Sequence, residues 1–129
     1  WAHETLYLCG DLTDYSPATL AAIRTISDIW HRYPDAFATM EPEFLIPTLN
    51  PGVFANRFPS KGYDVYTLFN DRPCTVEGPV LAVRDEPGVR YLEAWEGIAL
   101  APEHDGEMAR LSLTIPPKQV RCIVVQRDR

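Results

Sequence analysis

Tyr63-Asp64-Val65-Tyr66-Thr67-Leu68-Phe69-Asn70 points to the kind of structure this chain forms. Val65, Thr67 and Phe69 fall on one side of an extended chain and Tyr66 and Leu68 on the other, the two-residue period of a β-strand. The same period returns where Leu111, Leu113 and Ile115 alternate with Ser112 and Thr114. Around both runs, from Pro42 onward, proline and glycine punctuate the chain about every ten residues, which suits many short strands. The spacing predicts strands over 53–58, 63–70, 74–77, 79–84, 90–94, 108–115 and 119–126, with an edge strand or linker near 44–49. Short alternating strands of this kind make a two-layer antiparallel sandwich.

Upstream the texture differs. Leu6, Tyr7 and Leu8, closed by Cys9 and Gly10, show little alternation, the pattern of a strand buried on both faces of a parallel sheet. A polar loop over 11–15 leads to Ser16-Pro17, a helix-start signal, because the hydroxyl can accept from an orphan N–H and proline loses nothing at the first helical position. Leu20, Ile23, Ile26, Ile29, Trp30 and Tyr33 then recur at three- and four-residue steps and paint one apolar stripe. Pro34 should end that helix, leaving at most a short turn after it. The boundary falls near 41–52, giving a βα unit over 1–41 and a sandwich over 42–129. A single βα unit cannot bury its own faces. It predicts neighbours that this polypeptide does not itself contain.

Composition bounds the rest. A chain of 129 residues, 46% hydrophobic, closes one ordinary core. A net charge of -6 offers no footprint for a phosphate backbone, so nucleic acid is not expected as a partner. No run approaches the roughly 20 apolar residues that span a bilayer, so no membrane partner is expected either. The first residue is Trp1, and no basic segment leads into an apolar one, which predicts a chain cut, processed or excerpted from a longer one. Cys9, Cys74 and Cys122 are an odd set without close spacing, read as buried free thiols and favouring a reducing, cytoplasmic setting. His3, His31 and His104 lack ligand spacing, so neither a metal nor another cofactor is expected.

The residues also carry a resemblance. Leu6-Tyr7-Leu8-Cys9-Gly10-Asp11-Leu12 followed by Thr13-Asp14-Tyr15-Ser16-Pro17-Ala18-Thr19-Leu20 resembles the eighth strand, rim loop and eighth helix of the α-galactosidase-like (β/α)8 glycoside hydrolases. Val65 to Asn70, Tyr91-Leu92-Glu93-Ala94-Trp95-Glu96-Gly97 and the run from Leu111 to Val125 are similar to strands and a hairpin of their carboxy-terminal domains. The resemblance implies a mainly β chain: an antiparallel β-sandwich preceded by one βα unit that completes a (β/α)8 barrel.

Glycoside hydrolysis needs two carboxyl groups across the sugar, and barrel active sites lie at the carboxy-terminal ends of the strands. Asp11 and Asp14, just past the predicted first strand, are the acids placed to reach such a pocket. In the resembled enzymes the catalytic pair comes from earlier strands, so no catalytic residue is expected here. Asp11, with Asp14 beside it, is then a candidate substrate-binding residue, and the alternative is an Asp that caps its loop or the helix. Tyr63, Tyr66, Tyr91 and Trp95 read either as rings that fill the core or as a platform that stacks on sugars. The acid pairs Asp85-Glu86 and Glu93 with Glu96 read as solvated turn residues. Three functions stay open: a non-catalytic support for a glycoside hydrolase, a carbohydrate-binding sandwich, or a small subunit that docks on a partner chain.

Overall fold

The computed structural model describes residues 11–127; the strand expected at Leu6 to Gly10 lies outside them. After a 3-10 turn at Leu12–Asp14 come helices α1 (Pro17–Arg32) and α2 (Pro34–Phe37). Nine strands follow among the described residues: β1 (Glu43–Ile46), β2 (Val53–Pro59), β3 (Tyr63–Asn70), β4 (Val76–Arg84), β5 (Val89–Glu93), β6 (Ile98–Leu100), β7 (Glu103–Asp105), β8 (Met108–Ile115) and β9 (Val120–Arg127). They form a six-stranded sheet in the order β1-β2-β3-β9-β5-β6 and a three-stranded sheet in the order β4-β8-β7, every pairing antiparallel. The mainly β sandwich is thus as expected.

Inward-facing positions of both sheets meet in one core. Ala55, Tyr66, Leu68, Tyr91, Ile123 and Val125 from the larger sheet face Val76, Val80, Leu81, Val83, Leu111 and Ile115 from the smaller. Burial at about 25 cal/mol per Å² of apolar surface drives this closure. The opposite face of the larger sheet carries a second cluster, in which Phe58, Val65, Cys122 and Val124 pack under Ile29, Tyr33, Ala36 and Phe37 of the helical segment. Helix and sandwich therefore share a core across residue 41.

Helix α1 starts as its sequence demands. Ser16 is the N-cap, its Oγ accepting from the Thr19 N–H at 3.1 Å, and Pro17 takes the first position. Tyr33, held at φ -126° by the proline that follows, ends it. Burial along the stripe is uneven: Ile29 and Tyr33 are buried, Ile23 and Ile26 half-buried, and Leu20 is 37% exposed.

Two strand readings need correction. The segments 74–77 and 79–84, separated in the sequence reading by Gly78 and Pro79, are one strand, β4. Its partners run from Val76↔Ile115 to Pro79↔Ser112 and resume at Leu81↔Leu111, so Val80 is the extra residue of a bulge. β4 is an edge strand, where a proline sacrifices no ladder bond, and Gly78 supplies the φ of +114° that other residues rarely adopt. The exposed strands β6 and β7 were not anticipated, because three residues carry too little alternation to register.

Candidate functional site

Asp11 and Asp14 are both exposed. The Asp11 carboxylate accepts the Thr13 N–H at 3.0 Å, and its backbone carbonyl accepts from the Asp14 N–H, also at 3.0 Å. This is a capped turn, and the Thr13 N–H holds the Asp11 carboxyl below its usual range. Among the described residues, no further acid joins them in a hydrogen-bonded pair.

The acids taken as solvated turn residues divide. Glu86 and Glu96 are exposed, but Glu93 is buried, its carboxylate accepting the N–H groups of Trp95 and Glu96 at 2.8 Å each. It ties the β5–β6 turn by supplying acceptors that the turn's own backbone lacks. Asp85 is also engaged: it accepts the Tyr91 hydroxyl at 3.2 Å and lies 2.6 Å from His104 Nδ1, joining the two sheets at their edge. Burial, then Asp85, pushes the Tyr91 hydroxyl up to about 12. Of the four aromatic residues, Tyr66 and Tyr91 are buried and Tyr63 and Trp95 half-buried, so core filling describes them better than an exposed platform.

The densest charge lies at one end of the sandwich. Asp64 on β3 is 2% exposed, yet accepts from Arg57 Nε and Nη2 at 3.1 and 2.8 Å and from Arg127 Nη1 and Nη2 at 3.1 and 2.8 Å. Register explains the meeting. Asp64 pairs with Pro59 on one side and Val125 on the other, so the two arginines are its diagonal neighbours, on the same face. Burial pushes the Asp64 carboxyl up, but the two guanidiniums outweigh it and hold the group below 3.8. Arg57 also reaches Glu43 at 2.7 Å, and Arg127 lies 3.8 Å from Glu86. A carboxylate clamped in this way stays ionised and is a poor proton donor. Tyr66 stands next to the cluster, and burial pushes its hydroxyl up to about 12.

This cluster lines a cavity of about 470 Å³ between the sheets, walled on its apolar side by Ile46, Val83, Val89 and Met108. Sequence reading missed it. Nothing in the run Tyr63 to Asn70 announces that Asp64 meets an arginine 63 residues away, although Asp64 sits on the same face as Tyr66 and Leu68 and is the one charge there.

No protein-family model matches the chain, and no curated protein matches it in sequence. Solved structures do match in fold. An α-amylase from Anoxybacillus, described as a new glycosyl hydrolase subclass, superposes with a TM-score of 0.61 and 9% identity over 88% of this chain and 24% of its own. A candidate α-N-acetylgalactosaminidase from Bacillus halodurans gives 0.56 with 19% identity, over 92% of this chain and 26% of that one. A family 27 β-L-arabinopyranosidase from Geobacillus stearothermophilus, solved with arabinose, gives 0.55 with 12% identity and the same two coverages. The antiparallel β-sandwich of this chain is a fold shared with one part of each of these proteins. The chain spans only about a quarter of the length of each of these proteins.

Proposed function

We propose that this chain is a non-catalytic carboxy-terminal portion of a glycoside hydrolase-like protein, in which residues 1–41 complete a (β/α)8 barrel and residues 42–129 support its flank. One observation carries the reading: the chain superposes over 92% of its length on about a quarter of two larger carbohydrate-active enzymes. The apolar stripe of α1 supports it, since Leu20 near its start is exposed while Ile29 near its end is buried. A helix of this kind is stable when a sheet covers its whole stripe. The barrel, on the same chain or a partner chain, would supply that cover.

Under this reading Asp11 and Asp14 stand on the rim loop that follows the last barrel strand, and Asp11 hydrogen-bonds a sugar hydroxyl from there. Its exposure and its ionised carboxylate suit that role. The test is the intact mass of the natural polypeptide recognised by an antibody raised against residues 42–129. A species of several hundred residues, or a stable complex with a barrel chain, supports the proposal. A lone monomer of 14.6 kDa overturns it. In such a parent, Asp11→Ala should raise KM for its glycoside several-fold and leave kcat within about twofold, the pattern of lost uniform binding.

A further inference from the structure

We propose that the cavity between the two sheets, beside Asp64 and Tyr66, is a binding site for a small neutral polyhydroxyl ligand of monosaccharide size. Its polar wall is built rather than incidental. Arg57 and Arg127 are fixed by the buried Asp64 carboxylate, and Glu43 holds Arg57 from the other side. Each guanidinium has five N–H groups, and the bonds to Asp64 and Glu43 leave some on each free for a guest. Tyr66 is buried as a residue, but it lines this space, and its hydroxyl has no protein hydrogen-bond partner among the described residues. Water reaches this hydroxyl through the cavity, and a ligand's hydroxyl in the water's place would add about 0.5–1.5 kcal/mol, the net worth of one hydrogen bond.

Charge balance selects the class of ligand. Three arginines (57, 84 and 127) and three acids (43, 64 and 86) line the cavity, so neither an anion nor a cation gains a net attraction. A purely apolar guest would leave Tyr66 and the free N–H groups unsatisfied. A pyranose presents hydroxyls to the Arg57, Tyr66 and Arg127 side and its C–H face to Val83, Val89 and Met108. With about 470 Å³ there is room for one such ring and its bridging waters. The site lies wholly within residues 43–127 and does not depend on the barrel reading.

The test is a titration of the 15N-labelled chain with methyl β-D-glucopyranoside, followed by amide shifts, beside parallel titrations with D-glucuronate and cyclohexanol. The expected result is saturable shifts at Tyr66, Val83 and Val89 with the glucoside at millimolar concentration, and weaker binding of both controls. Tyr66→Phe keeps the ring and the core, and should weaken glucoside binding about 2- to 12-fold, one hydrogen bond's worth. Val89→Trp, at a half-buried wall position, should abolish it by filling the space. No saturable shift with the glucoside, tighter binding of glucuronate or cyclohexanol, or unchanged binding by folded Tyr66→Phe would each overturn the proposal.

Discussion

Asp64 is the residue whose loss should be felt most. Removing it leaves Arg57 and Arg127, each partly exposed, with Glu43 and Glu86 as their remaining acids; breaking a fully buried pair costs about 3 kcal/mol, and solvent at the arginines lowers this to about 1–2 kcal/mol. Asp64→Ala should therefore lower stability by roughly that amount in urea unfolding at neutral pH. The pH dependence has a definite sign. Because the folded carboxyl is held below 3.8, its contribution is complete above that value and disappears as pH falls through the lowered folded value. The gap between the wild type and Asp64→Ala should accordingly shrink between neutral pH and about pH 2, and a constant gap would show that the ion cluster is not its source. Asn70 is the contrasting case. Its side-chain N–H groups donate to the carbonyls of Cys74 and Ile115 at 2.9 Å and its Oδ1 accepts the Arg72 N–H at 2.9 Å, a turn role legible from an Asn at a strand's end. Asp64 was illegible because its partners are fixed by sheet register, which no local pattern states.

At the scale of elements, local chemistry spoke where it is strong. The Ser16-Pro17 start and the Pro34 stop placed α1 almost to the residue, because capping and proline sterics act within one turn. The runs 63–70 and 108–115 were likewise placed to the residue, since both are long; every second residue of β8 faces the core, and both faces of β3 are covered. β4 was misread as two strands because Gly78-Pro79 signals a break in a chain considered alone. On an edge, with a bulge at Val80, the same pair only bends the strand. The bend needs Gly78: a Cβ there meets no atom within 4 Å, so any penalty from Gly78→Ala comes from the φ of +114° alone. That substitution should cost about 1–3 kcal/mol, read as a lowered melting temperature with the sheet signature of the circular dichroism unchanged.

Over the whole molecule, two cores back to back on one sheet explain both the overall fold and an error about the thiols. Cys122 lies in the cluster beneath α1 and α2, fully buried, and burial pushes its thiol far up. Cys74 lies two residues before the start of β4 and is exposed, contrary to the expectation that apolar neighbours would cover it. Peptide mapping after brief treatment with a thiol reagent should find Cys74 modified in the native protein and Cys122 modified only in denaturant. Early modification of Cys122 would mean that α1 and α2 lift from the sheet without global unfolding. The switch from helical to alternating period between Phe37 and Glu43 was readable. That both sides share a cluster was not, because a helical stripe does not say which sheet it covers.

The position of β9 has a consequence for synthesis. It lies between β3 and β5, so the strand translated last among those described is the one that joins the two halves of the larger sheet. Until Val120–Arg127 clears the ribosome, the nascent polypeptide carries two open hydrogen-bonding edges and an unroofed interior, the condition in which chaperones engage a chain and aggregation begins.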